Sequence, residues 1–419
     1  MKFIALKCSC NPSLRCIKIQ SDKVEVDIQG SLFNNIFQAL YLDSRIRASL
    51  RIFRSRFTQI SAASDGSLFA TSSRGFPKIN IISVLFRTSK AKKCGCVIVI
   101  GKPKEGHGRR HNESIPDELY FTLRDVTIEQ WAGRNSKCSA VYILHKGGKV
   151  TIEDSRFYKK RLTSVDGALN VKTIGGKSNI TVSNCSFIDK CVYKRRAIAF
   201  QIVASNGNAG SVVVSNSRFI SSGKKQKALL LSPKYRMRLV NITVISFRSG
   251  FQVLSSPPRN DTFPIDIYVD KCTFMNNIFD MLLTLLDPTS VYVTIQNTIF
   301  ISTETIFRKS YAIRLNIPPL KNISSTIAVI KLDNDTFNSK PSSNFALFFK
   351  GNKSVTIKGC MFSNCCYAFS DAQRWTIEKT DDFYETGSGA ISILTFPDRA
   401  LKSGCLHSNT IDDLSLIHI

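Results

Sequence analysis

Aliphatic and polar positions alternate over short stretches of this 419-residue chain, and one such pattern recurs along most of its length. Each copy reads aliphatic, any, aliphatic, any, a turn-type residue, two variable residues and then Phe, as in VTIEDSRF ending at Phe157. Alternation with a period of two predicts a strand whose aliphatic side chains share one face. Two weaker copies end at Ile128 and Val244, and ten copies end at Phe33, Phe57, Phe86, Phe157, Phe187, Phe219, Phe274, Phe300, Phe337 and Phe362.

The fifth position of the motif predicts a sharp turn. It is Gly, Asn or Asp in nine of the twelve copies, and these residues tolerate a left-handed backbone. The nine are Gly30, Asp125, Asp154, Asn184, Asn216, Asn241, Asn297, Asn334 and Gly359. The Phe then begins a second short strand, and a third strand such as GALNVKT follows about ten residues later. One repeat therefore holds three short strands.

Successive motifs end between 24 and 42 residues apart. A unit this small cannot bury its apolar face alone, but stacked copies form a continuous core. Like positions then stack at about 4.8 Å, so that Phe lies on Phe and Asn on Asn. The alternative is a β-sandwich or a propeller of antiparallel blades, although propeller units are longer and contain four strands each.

The VxIxNxxF motif and the asparagine turns resemble the right-handed, pectin-lyase-like family of parallel β-helices, over residues 24–396. The resemblance implies an all-β, right-handed parallel β-helix solenoid of about twelve coils. Residues 1–23 are expected to form an irregular or partial leading coil, and 89–118 a basic excursion loop. Residues 397–419 are expected to start a further, truncated region.

The chain is expected to be a fragment of a large extracellular or cell-surface protein. The segment from Gly387 to Cys405 resembles cysteine-bearing coils of repeat-rich ectodomains. The last residues, 414–419, read LSLIHI, which a common sequencing adapter gives when translated, so this tail is expected not to be native. Lys7 interrupts the first apolar patch too early for a signal peptide, and no apolar run has the length of a membrane span.

Composition adds a strong positive charge to this picture. The chain has 58 Lys and Arg against 31 Asp and Glu, which gives a net charge of +27. Apolar residues make up 43% of the chain, which excludes a disordered protein. Such a charge attracts polyanions. The basic residues that follow three consecutive motifs should align as a stripe: Lys159, Lys160, Arg161, Lys190, Lys194, Arg195, Arg196, Lys224, Lys225 and Lys227.

This stripe suits an acidic polysaccharide such as a sulfated glycosaminoglycan, or it is a solvated surface that only prevents aggregation. A further basic cluster, Lys234, Arg236 and Arg238, precedes the next motif. Specific nucleic-acid binding is not expected, because no aromatic side chains are interleaved with the stripe to stack bases.

Catalytic chemistry finds little support in the sequence. A polygalacturonase-like member would carry acidic residues ahead of a Gly-His-Gly, whereas Gly106-His107-Gly108 lies in a Lys/Arg-rich segment without them. The adjacent pair Asp381-Asp382 is followed by no His-Gly or Arg-x-Lys. The cysteine spacings do not fit a tetrahedral zinc site. No catalytic residue, metal or cofactor is therefore assigned.

The cysteines bear on the cellular compartment of the protein. Among the 13 cysteines, Cys185, Cys272 and Cys360 share the position two before Phe, where a side chain should be buried. Disulfides from Cys185 to Cys191 and from Cys360 to Cys366 are geometrically attractive, and buried free thiols are the alternative.

Eight Asn-x-Ser/Thr acceptors hint at secretion. Asn184, Asn241 and Asn334 occupy the turn position and are expected to be unavailable for glycans. The candidates expected in loops are Asn112, Asn179, Asn260, Asn322 and Asn352. The resulting hypothesis is a non-enzymatic extracellular module for binding or adhesion. The alternatives are a carbohydrate-active enzyme with opposed carboxylates, and an intracellular adaptor with reduced cysteines and no glycans.

Overall fold

The computed structural model describes most of the chain. The described residues are 2–4, 7–8, 15–62, 68–72, 77–91, 97–101, 115–133, 139–159, 167–190, 198–204, 210–222, 227–232, 234–254, 264–284, 290–303, 311–316, 327–339, 345–350, 354–363, 367–370, 374–378 and 393–394. Within these ranges the chain forms strands and turns and contains no helix. It divides into two compact units, Met1–Leu230 and Leu231–Ile419.

Most strands are short, as the repeat predicts, but β3, β5, β8 and β10 are 14 to 16 residues long. The first twenty are β1 Lys2–Ile4, β2 Lys7–Cys8, β3 Arg15–Gln29, β4 Leu32–Asn34, β5 Gln38–Phe53, β6 Arg56–Ala62, β7 Leu68–Ser72, β8 Lys78–Ala91, β9 Ile98–Ile100, β10 Glu118–Gly133, β11 Ser139–His145, β12 Gly147–Glu153, β13 Arg156–Lys159, β14 Gly167–Thr173, β15 Ser178–Ser183, β16 Ser186–Asp189, β17 Ile198–Ala204, β18 Gly210–Ser215, β19 Arg218–Ser221 and β20 Lys227–Leu231. The others are β21 Tyr235–Val240, β22 Thr243–Ile245, β23 Ser249–Leu254, β24 Pro264–Asp270, β25 Thr273–Met275, β26 Phe279–Thr284, β27 Ser290–Gln296, β28 Ile299–Ser302, β29 Tyr311–Asn316, β30 Ile327–Asp333, β31 Thr336–Ser339, β32 Phe345–Lys350, β33 Ser354–Lys358, β34 Met361–Ser363, β35 Tyr367–Ser370, β36 Arg374–Glu378 and β37 Ile393–Leu394.

All pairing is parallel, and the strands stack coil upon coil. In the first unit β12, β13 and β14 pair with β15, β16 and β17, each three strands further along the chain. In the second unit β24, β25 and β26 pair in the same way with β27, β28 and β29. Each unit is thus an all-β parallel solenoid, as the repeat predicts. Its first face carries the aliphatic strands of the motif, its second face the Phe strands, and its third face the remaining strands.

A left-handed residue separates the first face from the second in every copy of the motif. All twelve fifth-position residues have φ between 48° and 58°, which confirms the nine predicted turns and adds Arg54, Ser83 and Lys271. The backbone N–H at this position donates to a carbonyl of the next coil, as from Asn184 to Ser215 at 3.1 Å and from Asn334 to Lys358 at 2.9 Å. The turn therefore bends the chain and joins neighbouring coils at once.

The motif phenylalanines stack inside the solenoid. Ring centroids are 4.7 Å apart from Phe157 to Phe187 and 4.7 Å from Phe187 to Phe219 in the first unit. In the second unit Phe300 lies 4.9 Å from Phe337. These rings are nearly parallel and buried, since every coil places the same side chain at the same inward position. The column confirms the predicted stacking of Phe on Phe.

The excursion is narrower than the predicted range of 89–118. Strand β8 continues to Ala91, and β9 pairs on the third face with Val141–Ile143 of β11. The apolar run VIVI supplies this strand, which the basic character of the surrounding residues obscured. Ile115 then packs with Val99, Tyr142 and Leu144.

At the beginning of the chain β1 pairs with Asp27–Gln29 and β2 with Leu32 and Phe33, so part of 1–23 adds to the stack.

Removing one ring of the Phe column should destabilise the first unit. We expect Phe187→Ala to lower its free energy of unfolding by about 3 to 5 kcal/mol, because the change leaves a cavity between two stacked rings. Urea unfolding followed by Trp131 fluorescence in a Trp375→Phe background measures this unit. Arg218→Ala, at an exposed position beside Phe219, is the matched control and should change stability by less than about 0.5 kcal/mol. Equal effects of the two changes would contradict the column.

Candidate functional site

The three basic turn segments, 159–161, 190–196 and 224–227, follow strands of the first unit that end at one edge of the second face. The preceding strands β13, β16 and β19 pair in register, with Lys159 opposite Asp189 and Asp189 opposite Ser221. The N–H of Lys190 donates to the Lys159 carbonyl at 2.9 Å, and the N–H of Ser222 donates to the Asp189 carbonyl at 3.0 Å. The segments therefore begin at stacked positions on consecutive coils.

The same segments also return to the solenoid at stacked positions. Strand β14 begins at Gly167 and pairs with β17, with Leu169 opposite Phe200. Gly167 lies so close to β17 that an added Cβ would be 1.9 Å from the Ile198 carbonyl oxygen. Strand β17 pairs in turn with β20, which begins at Lys227. Both ends of the three turns are thus aligned along the solenoid.

Within the predicted stripe, Lys190 is exposed and Lys227 is half-buried. The side chains between the anchored ends lie outside the described residues. These are Lys160, Arg161, Lys194, Arg195, Arg196, Lys224 and Lys225.

Lys159 corrects the predicted stripe, because its side chain is fully buried at 0% exposure. Strand alternation explains this position: Phe157 points inward, so the residue two further along points inward as well. The Lys159 ammonium nitrogen lies 5.2 Å from the centroid of the Trp131 ring, a cation–π contact. Trp131 Nε1 donates to the Gly167 carbonyl at 2.9 Å. Lys159 and Trp131 therefore pack together inside the solenoid, next to the start of β14, and are unavailable to a ligand.

The cysteines predicted to form disulfides are free thiols where the structure describes them. Cys185 and Cys360 are buried and unbonded to sulfur, as is Cys272. The Cys185 thiol donates to the Ser183 carbonyl at 3.1 Å, and burial raises its pKa to about 12. The predicted partners Cys191 and Cys366 lie outside the described residues. Of the two alternatives, buried thiols are the one present, and a thiol held protonated in this way is chemically inert.

These thiols belong to a buried column at the sixth motif position that the sequence analysis did not identify. Hydroxyls fill the same position in other coils, and each donates to the carbonyl two residues earlier, over 2.6 to 3.0 Å, from Ser31, Ser55, Ser155, Ser217 and Thr298. Each oxygen can also accept a backbone N–H of a neighbouring coil, as Ser217 accepts from Cys185 at 3.1 Å. The column satisfies backbone groups that the turn would leave buried without partners.

Asp335 is the one carboxyl in this described column. Its Oδ1 accepts the Thr298 N–H at 2.8 Å, while its Oδ2 is buried and has no hydrogen-bond partner. Burial is the main cause that raises the pKa of Asp335 to about 7, a value that includes a smaller contribution from the nearby Asp333 and Asp270 carboxylates. A protonated Oδ2 can donate as the hydroxyls of the column do, so the neutral acid is the form that fits this position.

Two other buried titratable groups have structural partners. His145 Nδ1 donates to the Gly147 carbonyl at 2.9 Å, Nε2 faces the Thr173 hydroxyl at 3.2 Å, and burial lowers its pKa to about 4. Asp280 Oδ1 accepts from Asn277 Nδ2 at 2.8 Å, and burial raises the Asp280 pKa. Both side chains are sealed from solvent, so neither can act on an external substrate.

Other residues considered for chemistry lie largely outside the described ranges, among them His107, Asp381 and Asp382. Among the side chains that are described, no three His, Cys, Asp or Glu residues are arranged to hold a metal ion. The described ranges also contain no helix long and apolar enough to cross a membrane.

The glycosylation candidates are corrected at the described asparagines. Asn179 lies within strand β15 and not in a loop, but its side chain is exposed and its Oδ1 accepts the Ser211 hydroxyl at 2.9 Å. Asn184, Asn241 and Asn334 are exposed at the left-handed turn, and Asn184 Nδ2 donates to Asp154 Oδ1 at 2.6 Å, so their unavailability for glycans stays a prediction. The other candidates, Asn112, Asn260, Asn322 and Asn352, lie outside the described residues.

Comparison of the chain with protein-family models, with curated proteins and with solved structures finds no match.

The Asp335 carboxyl should make the second unit less stable at high pH. Its pKa is about 7 when folded, above the ordinary 3.8, so folding favours the protonated form. The stability this confers is complete below about pH 4 and is lost as pH rises to about 7, with a loss of up to about 4 kcal/mol. Urea unfolding at pH 5 and pH 8, read by Trp375 fluorescence in a Trp131→Phe background, measures the difference.

Asp335→Ser should reduce this pH dependence by about 2 kcal/mol, because serine donates the same hydrogen bond without ionising. Asp266→Ser, which removes a partly exposed carboxylate from the same unit, is the control and should leave the dependence intact. An unchanged dependence in Asp335→Ser would show that this carboxyl does not titrate between the two pH values.

Proposed function

We propose that this chain is a non-enzymatic extracellular binding module that holds acidic polysaccharide along the stacked basic turns of its first unit. The observation that carries the proposal is the alignment of those turns. The strands that precede these turns lie on three consecutive coils, and backbone hydrogen bonds of 2.9 and 3.0 Å join Lys190 to Lys159 and Ser222 to Asp189 where the turns begin. The described ends of the three basic segments are therefore brought to one edge of the solenoid.

The stacking matches a linear ligand. Neighbouring coils repeat at about 4.8 Å, so a chain lying parallel to the solenoid axis meets basic residues from each turn in succession. A net charge of +27 adds long-range attraction to any polyanion. With Lys159 inside, the binding residues are Lys160, Arg161, Lys190, Lys194, Arg195, Arg196, Lys224, Lys225 and Lys227. Contacts of this kind weaken as salt rises, because they are exposed to solvent.

We infer further that the solenoid is of the right-handed, pectin-lyase-like type. Three parallel strands per repeat and a left-handed turn between the first and second strands support this inference. The binding role is preferred to catalysis on chemical grounds. The carboxyls with raised pKa values, Asp280 and Asp335, are buried within the solenoid and cannot reach a polysaccharide.

Two features support an extracellular location. Cys16 is disulfide-bonded, and disulfides persist in oxidising compartments. Asn179 presents an exposed Asn-Ile-Thr acceptor on the first face, at a position where a glycan would project into solvent.

Charge reversal at the centre of the basic turns should weaken binding to a polyanion. We expect the triple change Lys194→Glu, Arg195→Glu and Arg196→Glu to elute from heparin at a clearly lower salt concentration than the parent chain. The matched control reverses three exposed charges on strands of the same unit, Lys23→Glu, Arg56→Glu and Lys78→Glu. Both variants lose the same net charge. The proposal fails if the control lowers the elution point as much as the turn variant does, since binding would then follow net charge alone.

The extracellular assignment predicts a glycan at Asn179. When the chain is secreted from a eukaryotic host, treatment with an N-glycosidase should lower its mass. The Asn179→Gln variant should carry one glycan fewer than the parent chain. Lys149→Gln, which changes the strand residue paired with Asn179, is the control and should keep the full mass. Secreted chain that shows no shift, with all its cysteines reactive as free thiols after unfolding, would contradict the assignment.

A further inference from the structure

The outer surface of the first face in the second unit carries cations on alternate strand positions. On β21 Met237 and Leu239 are buried, while Arg236 and Arg238, which alternate with them, are exposed. The Arg236 Nε lies 3.2 Å from Asp266 Oδ2, with 77% of the Arg236 side chain exposed. Lys331 is exposed in the same way two coils beyond Tyr268. Strand alternation therefore directs these charges away from the core and into solvent.

Two tyrosines lie between these cations. Tyr292 is 44% exposed and pairs with Asp266, while Tyr268 pairs with Thr294, so the two rings are diagonal neighbours on adjacent strands. The Arg238 guanidinium carbon lies 5.0 Å from the Tyr268 ring centroid. A large aromatic side chain that is nearly half exposed on the outer surface of a sheet offers a ring face to a ligand.

In order along the solenoid, Arg238, Tyr268, Thr294 and Lys331 occupy one row of four paired strands. The row extends about 14 Å between its two cations. It places a charge, a ring, a hydroxyl and a second charge in sequence. We name Arg236, Arg238, Asp266, Tyr268, Tyr292 and Lys331 the tyrosine–arginine patch.

We propose that the tyrosine–arginine patch is a second binding site, for an oligosaccharide whose carboxylates are widely spaced. Sugar rings would pack their C–H groups on Tyr268 and Tyr292, because the face of an aromatic ring carries partial negative charge. Arg238 and Lys331 would pair with carboxylates at the two ends of the row, and Arg can do so with two parallel hydrogen bonds. The site lies in the second unit and does not require the basic turns of the first.

The acidic residues of the same surface favour this ligand over a nucleic acid. Asp266 lies beside Tyr292, and Asp270 and Asp333 occupy the next outward row of the same strands. A phosphodiester chain carries a negative charge at every nucleotide and would meet these carboxylates. Sugar hydroxyls, in contrast, can donate hydrogen bonds to them. A saccharide with widely spaced carboxylates therefore fits the mixed charges better.

Calorimetric titration of the full chain with a hyaluronan oligosaccharide, which carries one carboxylate per disaccharide, tests the site. We expect Tyr292→Ala to weaken binding by about tenfold or more and Tyr292→Phe to retain it, because the ring and not the hydroxyl makes the contact. Arg238→Gln should weaken binding in the same direction. Tyr120→Ala removes a tyrosine with the same 44% exposure from the first face of the first unit and should have no effect.

The result is separable from the proposed function of the basic turns. The Lys194, Arg195 and Arg196 charge reversal should leave hyaluronan binding intact, and Tyr292→Ala should leave heparin elution unchanged. Unfolding midpoints of the variants establish that the exposed substitutions preserve the fold. The proposal is overturned if the oligosaccharide does not bind, if Tyr292→Ala binds as the parent chain does, or if oligo-dT binds the patch more tightly than the oligosaccharide.

Discussion

The hydrogen bond from the left-handed turn of one coil to the next coil is the constraint on which the structure depends. All twelve motif turns have a positive φ, and the N–H of such residues as Asn184, Asn241 and Asn334 is donated across the stack. This bond fixes where each first-face strand ends and each second-face strand begins. Because the register repeats, a side chain at a given motif position meets its equivalents above and below it within each unit. The Phe stack and the buried hydroxyl and thiol column are both consequences of this one repeated geometry.

Function in such a fold arises from what the register aligns on the outside. The core positions are occupied by groups that satisfy one another, including Lys159 on Trp131 and His145 between Gly147 and Thr173. The two binding sites are therefore proposed at the turns and at the outward strand positions. The same logic separates the two proposed sites, one on turns and one on a flat face. It also explains why the buried carboxyls affect stability rather than ligand chemistry.

Asp335 illustrates how the column limits substitution. Apolar Val84, Val126 and Ile242 fill the position in three coils, whereas the polar groups found there donate one hydrogen bond to the carbonyl two residues earlier, which Ser, Thr and Cys do while remaining neutral. A carboxyl can do the same only when protonated, and its raised pKa follows from that requirement and from burial. The turn asparagines meet a different demand, since they must tolerate a left-handed backbone at the exposed side of the same turn.

The sequence by itself determined the strands, the left-handed turns, the Phe stack and the burial of Cys185, Cys272 and Cys360, because each is a local pattern repeated at one motif position. The sequence could not show that a segment without the motif contains a third-face strand, so β9 was included in the predicted excursion loop. Only the tertiary structure decided that Lys159 lies inside, that Cys185 and Cys360 are free thiols and that Asn179 lies on a strand. The tyrosine–arginine patch also needed coordinates, because the paired positions of its row are 26 to 37 residues apart in the chain and their register depends on the lengths of the intervening loops. The repeated motif determines whether a side chain points inward or outward in its own coil, whereas strand pairing between coils determines which side chains lie beside it.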